Sequence, residues 1–314
     1  MDDRDRHDRR ARVTVFAPNL ALSVTLEREG SERERVHFHP AGQGVWVARM
    51  AGEVGALPVL CGLIGGESGT LLEALLARLD AELQLVPATS ASACYVTDRR
   101  EGERRVLSCV LGDPPSRHEL DELFSLTCVE ALAGGWLVVT NPLPADALPI
   151  ELYGDILRDV RGAGCRTLVD LSSPRLDSAL RGEPDLVKLN DWELAEFVRG
   201  PVSAPAELRA AAERLLEQGA KAAVVTRGEQ PALVVTADRA WWLTPPLLRS
   251  GFREGCGDAM LGALAGSWAQ GESFEEALRV GAAAGAANYL RRGLASSSRA
   301  VIERLRGAVA LEPA

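Results

Sequence analysis

Short apolar runs, each bounded by glycine, proline or charge, recur at Val13 to Phe16, Leu57 to Leu63, Trp136 to Val139, Thr167 to Asp170, Leu186 to Lys188 and Ala222 to Thr226. Continuous rather than alternating hydrophobicity over so few residues predicts strands buried on both faces, as in a parallel sheet. Between these runs apolar residues return at helical spacing over Val45 to Val54, Ser68 to Leu79, Ile150 to Arg161, Asp191 to Val198 and Glu207 to Glu217. Alternating strand and helix predict an α/β fold with a mostly parallel sheet covered on both faces. Two stretches break the rhythm. Leu22 to Phe38 and Ser92 to Val110 alternate apolar with polar residues around Glu29-Gly30 and Glu101-Gly102, which predicts hairpin-like strands outside the main sheet. The C-terminal third, rich in alanine and glycine, predicts helices over Asp258 to Ala269, Ser273 to Asn288 and Ser298 to Val309. The expected organisation is a charged tail over residues 1–12 and one domain over residues 13–311.

Composition narrows the class. Of 314 residues, 46% are hydrophobic and 25% charged, enough for a core and too apolar for a disordered or collagen-like chain. The formal net charge is −9, so no global positive field gathers a nucleic-acid backbone. The sequence opens on Met1-Asp2-Asp3-Arg4 and holds no apolar run of about 18 residues, so neither a secretory leader nor a membrane span is expected. Six scattered cysteines without a Cys-x-x-Cys pair point to reduced thiols in a cytoplasm. Lys188 and Lys221 are the only lysines and neither follows a glycine, which removes a Walker A phosphate loop.

The sharpest local feature is Gly255-Cys256-Gly257-Asp258, where two glycines close a loop and an acid opens a helical run. Backbone N–H groups at a helix N-terminus carry partial positive charge, and glycine lets an anion approach them. A carboxylate there repels phosphate unless it has a proton to take, which makes Asp258 a candidate general base. The competing reading is a first-turn acid or cap stabilised by the dipole. Cys256 is a candidate thiolate at the helix start, with a small packing residue as the competing role, because none of His7, His37, His39 and His118 stands near it in sequence. His37 and His39 share a strand face, but the sequence places no cysteine or acidic metal ligand beside them. In a second cluster, Lys188-Leu189-Asn190-Asp191-Trp192-Glu193, Asn190 and Glu193 either form a capping box or stand near a metal-bound triphosphate, with Glu193 reaching magnesium through water. Thr226-Arg227-Gly228 is a strand end whose hydroxyl and backbone can reach a nucleotide.

These three segments follow one another at predicted C-terminal strand ends, where open α/β sheets bind ligands. Together they resemble the ribokinase-like carbohydrate kinases, in particular the phosphofructokinase-B branch that includes 1-phosphofructokinases and tagatose-6-phosphate kinases. Gly255 to Asp258 keeps the G-x-G-D of that family's second signature, without its preceding acid and threonine. Asn190 to Glu193 matches its N-x-x-E, Lys188 the lysine of its K-P-N, and Thr226-Arg227-Gly228 its S/T-x-G turn. Ala17-Pro18-Asn19-Leu20, Gly62-Leu63-Ile64-Gly65-Gly66-Glu67-Ser68-Gly69 and Leu143-Pro144 are similar to three upstream motifs, so the likeness runs from Val13 to Gly293. The resemblance implies a three-layer α/β/α sandwich with a small β lid, here over residues 22–38 and 92–110, which the family often shares in a homodimer. It also implies ATP, Mg2+ and phosphoryl transfer to a hydroxyl of a small carbohydrate-like acceptor, a reaction that needs mainly positioning and electrostatics. Asp258 would be the base, and the N–H groups of Gly255, Cys256 and Gly257 the anion hole. Lys188, Asn190, Glu193, Thr226, Gly228 and Asn288 would lie on the nucleotide side.

Departures from the family gather on the acceptor side. Ala21 stands where the family holds sugar hydroxyls with aspartate, Trp46 where it uses asparagine, and Ala88-Thr89-Ser90-Ala91-Ser92 has no arginine for a sugar phosphate. The candidate acceptor residues are therefore Ala21, Gly42, Gln43, Trp46 and Arg49, with Arg49 as the contact for an anionic acceptor. An indole in place of an amide removes hydrogen bonds that select a polyol and adds an apolar face, unless Trp46 only fills core space. The readings are a kinase with an altered acceptor pocket, a kinase for a nucleoside or other ring-bearing alcohol, and a silent relative that senses a nucleotide or sugar phosphate. The retained acid at Asp258 favours catalysis.

Overall fold

The computed structural model describes residues 10–29, 33–102, 104–142, 148–249, 251–291 and 295–314. Residues 1–9, Gly30 of the first predicted turn, Leu143-Pro144 and Gly293 lie outside them. Chain order gives β1 (Arg12–Asn19), β2 (Ala21–Glu29), β3 (Arg33–Ala41), α1 (Gln43–Glu53), β4 (Leu57–Ile64), α2 (Gly66–Leu76), β5 (Glu82–Pro87), β6 (Ala93–Asp98), β7 (Arg105–Val110) and α3 (Arg117–Gly134). There follow β8 (Trp136–Thr140), α4 (Glu151–Gly162), β9 (Arg166–Asp170), α5 (Arg175–Leu180), β10 (Leu186–Asn190), α6 (Asp191–Val198), α7 (Pro205–Glu217) and β11 (Ala222–Arg227). The chain ends on β12 (Gln230–Thr236), β13 (Ala240–Thr244), α8 (Cys256–Ala269), α9 (Phe274–Tyr289), α10 (Arg299–Arg306) and β14 (Ala310–Pro313).

The six continuous apolar runs become β1, β4, β8, β9, β10 and β11, the parallel centre of a ten-stranded sheet ordered β14-β13-β12-β11-β10-β9-β8-β1-β4-β5. The pleat sends Val13 and Val15 to one face and Phe16 to the other. The first face packs under α1, α8, α9 and α10 with Val47, Met50, Leu264 and Leu278. The second packs under α3, α4 and α7 with Leu123, Tyr153, Ile156 and Leu215. This is the α/β/α sandwich that the resemblance implies.

The pattern did not predict β5, β12–β14, α3 or α5. Strands β12, β13 and β14 extend the sheet edge in antiparallel pairs, outside the strand–helix–strand alternation that marks the parallel centre. Helix α3 buries Glu119, Leu123, Thr127 and Ala131, one residue per turn of which only Leu123 is large and apolar, which weakens the periodic signal. Its start was legible as Ser116-x-x-Glu119, which closes a capping box.

The two alternating stretches form a separate four-stranded sheet, ordered β3-β2-β6-β7. Strands β2 and β6 pair in parallel from Ala21↔Ala93 to Leu26↔Asp98 and so join the two hairpins. Buried Thr25 and Thr97 meet across that seam, with their hydroxyls 3.1 Å apart. The loop between β5 and β6 is held without arginine: Glu119 accepts hydrogen bonds from the N–H and hydroxyl of Thr89 at 2.6 and 2.9 Å, and the Ser92 N–H donates to the Gly65 carbonyl at 2.8 Å. All six cysteines are free. No helix among the described residues is long and apolar enough to cross a membrane.

Candidate active site

Strands β9, β10 and β11 end side by side, and α8 starts over their C-terminal ends. At its N-terminus Gly255 takes a left-handed conformation, with φ of 72°. Asp258 is the third residue of α8 and an acid of its first turn. Its side chain turns inward and is 7% exposed. Burial, followed by the charge of Asp170, pushes the Asp258 carboxyl up to about 7, while Lys188 and Gln43 pull it down and Glu193 adds to the rise. A carboxyl balanced near neutral pH is suited to accepting a proton. Asp258 is thus a first-turn acid of α8, as the competing reading has it, but one whose carboxyl is buried rather than exposed at the helix end.

Lys188 and Asp170 form the floor. Both are buried, and Lys188 Nζ lies 2.5 Å from Asp170 Oδ2. Burial works against the Lys188 charge, but Asp170 and Asp258 outweigh it and hold the ammonium above its usual range. A Cβ on Gly257 would stand 2.6 Å from Lys188 Nζ. The second glycine of the motif thus leaves room for a cation directly beneath the helix N-terminus, and the cation reinforces the anion-attracting N–H groups. Asp170 went unnoticed in sequence as a site residue. Its signal is a charge closing an otherwise apolar strand, Thr167-Leu168-Val169-Asp170.

A cleft of about 510 Å³ runs outward from this point, lined by Lys188, Asn190, Thr226, Gly228, Cys256 and Gly257 among others. Asn190 and Glu193 form the capping box: Asn190 Oδ1 accepts from the Glu193 N–H, and Glu193 Oε2 from the Asn190 N–H, both at 2.9 Å. Burial and then Asp170 raise the Glu193 carboxyl. Thr226 Oγ1 donates to the Leu189 carbonyl at 3.3 Å and lies at the cleft wall. The glycine-bounded gap, the buried cation below it and the elongated cleft beside it fit a nucleotide polyphosphate.

Several predicted residues have other placements. Asn288 is fully buried, donates to the Glu254 carbonyl at 2.9 Å and accepts from the Ala295 N–H at 2.6 Å. It braces the loop before the anion hole and is not open to a nucleotide. Burial raises the Cys256 thiol, the opposite of an activated thiolate, and Cys256 Sγ donates to the Phe252 carbonyl at 3.4 Å. Arg49, the expected contact for an anionic acceptor, lines a second cavity of about 730 Å³ with His39, Arg78 and Arg299. Ala21 joins Ala41 and Ala93 in a small buried cluster against which Trp46 and Tyr95 pack. The root of the second sheet is accordingly apolar. Gly42 precedes α1 as its N-cap, and Asn19 Oδ1 nearby is buried without a hydrogen-bond partner.

The second sheet reaches the loop before α8 through ions. Arg104 Nη1 lies 2.7 Å and Arg99 Nη2 3.5 Å from the Glu254 carboxylate, and the preceding Arg253 pairs with Glu229 in the turn after β11 at 3.0 Å. These groups are partly exposed, so each pair contributes little and salt screens it. Glu254→Gln is expected to make trypsin cleavage after Arg99 and Arg104 about two- to fivefold faster at low salt. The difference should vanish at high salt, and equal low-salt rates would show that these pairs do not hold the lid.

A parallel α/β/α sandwich with an inward acid at a glycine-flanked helix N-terminus, a buried cation and a nucleotide-sized cleft defines a phosphotransferase class. Residues 16–300 match the pfkB family carbohydrate kinase family, and the chain belongs to it. It is 31% identical over 262 residues to the ATP-dependent 6-phosphofructokinase isozyme 2 of Escherichia coli (strain K12), covering 82% of this chain and 83% of that one. It is 27% identical over 283 residues to the 1-phosphofructokinase of Rhodobacter capsulatus, covering 87% and 88%. The crystal structure of Escherichia coli phosphofructokinase-2 in complex with potassium superposes with a TM-score of 0.83 at 27% identity, over 95% of this chain and 99% of that one.

Proposed function

We propose that the protein transfers the γ-phosphoryl group of ATP to a hydroxyl of a small carbohydrate-like acceptor, with residues 13–311 acting as one kinase unit and residues 22–38 and 92–110 as its lid. The observation that carries this reading is the inward Asp258 carboxyl, balanced near neutral pH beside a helix N-terminus. Asp258 takes the acceptor hydroxyl's proton as the oxygen attacks. The N–H groups of Gly255, Cys256 and Gly257, with Lys188 beneath, stabilise charge on the transferring group. Thr226, Gly228 and Asn190 line the nucleotide path. The residues fit a magnesium ion brought by the triphosphate, with Glu193 reaching it through water. Six free thiols support work in the cytoplasm. The test is magnesium-dependent ADP release from ATP across sugars, sugar phosphates, polyols and nucleosides, with Asp258→Asn as blank. Acceptor-dependent release above blank is expected, and its absence over the whole panel would favour the sensor reading.

We further propose a homodimer through the lid. Val36, Phe38 and Val110 share one lid face by register and are 53%, 46% and 61% exposed. A second copy of the same sheet supplies a matching apolar surface, and monomers rarely leave such patches bare. Phe38→Asp combined with Val110→Asp is expected to halve the mass measured by light scattering. A wild-type monomer at tens of micromolar would refute the dimer.

A further inference from the structure

The cavity of about 730 Å³ that Arg49 lines shares no described residue with the cleft beneath α8. Its walls come from β3 of the second sheet, from α1, from the end of α2 and from the start of α10. The charged groups on them are Arg49, Arg78, Arg299, Glu53 and Asp80, with His39 contributed by β3.

Both carboxylates are already engaged. Arg10, from outside the cavity, grips Asp80 with its two terminal nitrogens, Nη1 lying 3.0 Å from Oδ1 and Nη2 3.0 Å from Oδ2. Glu53 Oε2 accepts the Arg299 backbone N–H at 3.2 Å, at a helix start where Ser298 provides no side-chain cap, and its charge opposes the burial that lowers the Arg49 guanidinium. Burial, followed by the charges of His37 and Arg49, lowers His39 as well. Among the described residues, neither Arg78 nor Arg299 is in an ion pair. Two guanidinium charges from different elements are thus left over in one cavity, on a chain whose net charge is −9. The remaining wall is apolar, with Pro40 buried and Leu75 and Leu79 half-buried.

We propose that this cavity binds a phosphate monoester, a dianion carried on a carbon body, at a site separate from the cleft beneath α8. Arg78 and Arg299 match the charge of a phosphate dianion, and their planar forks offer paired N–H donors to its oxygens. A single carboxylate would answer only one of them. Pro40, Leu75 and Leu79 take the carbon body, whose burial adds an apolar contribution that a bare anion lacks. Because the walls belong to β3 and to the helices of the main domain, a bound ester ties the second sheet to that domain. Nothing at this site depends on Asp258.

The test titrates phenyl phosphate and inorganic phosphate into the full-length protein by calorimetry at low salt and about pH 8, where both probes are mostly dianions. Phenyl phosphate is expected to bind at least about threefold more tightly than inorganic phosphate, because its ring reaches the apolar wall. Arg78→Gln combined with Arg299→Gln, both at exposed positions, should weaken either probe about tenfold through the loss of two charge-assisted contacts. These substitutions do not touch the cleft beneath α8, so identical isotherms in wild type and double variant would place the binding there and overturn the site. Absence of saturable phenyl phosphate binding to wild type below about 10 mM would overturn it too. Inorganic phosphate binding as tightly as phenyl phosphate would overturn the ester in favour of a bare anion. If the double variant does not fold, Arg78→Gln alone decides, with a loss of about threefold expected and an unchanged affinity refuting the site.

Discussion

Asp258→Asn is expected to lower ATP turnover by roughly 10²–10⁴-fold, the usual contribution of a positioned general base, while ATP affinity stays close to wild type if the acid acts on the acceptor as proposed. Single-turnover ADP formation and equilibrium ATP binding together check this, and wild-type turnover in the mutant would end the assignment. Stability should move the other way. The Asp258 carboxyl sits at about 7 in the fold against an ordinary 3.8. A raised folded value favours the native state fully below pH 4, and that contribution disappears as pH climbs from 4 through 7. Asparagine carries no such penalty, so the mutant should gain on wild type across that window and hold a constant lead above it. At about 1.4 kcal/mol per pH unit the lead amounts to a few kcal/mol. Melting temperatures measured at pH 5 and pH 8 should therefore diverge between the two proteins, and parallel curves would show that Asp258 is not buried as a strained acid. Turnover in the wild type should rise through pH 7 as the base ionises.

The α/β architecture was legible because its central strands are buried on both faces, and nothing but continuous hydrophobicity satisfies that position. The edge strands β12 to β14 were not, because their signal depends on which neighbour they pair with rather than on a period of their own. Within the site, Gly257 and Asp258 announced themselves through local backbone demands: a glycine where a side chain would strike Lys188, and an acid where a helix begins. Asp170 did not, since its meaning arises only when β9 and β10 end at one place. Asn288 misled for the same reason. Its position late in α9 is compatible with facing the cleft, and only the fold shows both of its amide atoms committed to the backbone of Glu254 and Ala295. Gln43, read in sequence as an acceptor contact, shows in the fold a side chain that accepts the Asn141 N–H just past β8, a pairing no local pattern could announce. The acceptor side follows the sequence more directly, because Ala21 and Trp46 differ from the family in chemical character. Their packing together with Ala41 and Ala93 turns two separate departures into one apolar wall.

Lys188→Met is expected to damage both stability and turnover, for separable reasons. The ammonium and Asp170 are buried together, with 7% and 3% of their side chains exposed. Removing one partner strands the other in a low-dielectric site at a cost of about 3–5 kcal/mol. Denaturant titration should show that loss, and Lys188→Met with Asp170→Asn should recover most of it, because an uncharged pair requires no compensation. Turnover should not recover in the double variant. Lys188 is the buried cation beside Gly257, and it also pulls the Asp258 carboxyl down against its burial. Without it the anion hole keeps only its N–H groups, although losing Asp170 in the same variant also relieves Asp258 of its strongest like charge. The base then ionises near its former pH while phosphoryl transfer still lacks its cation, so a pH profile should show reduced height with little displacement. In the single variant, with Asp170 still charged, the rising limb should shift to higher pH as well as fall. A double variant that regained both stability and rate would mean that the Lys188–Asp170 pair only holds the strands together, and the cation beneath α8 would then have no part in the chemistry.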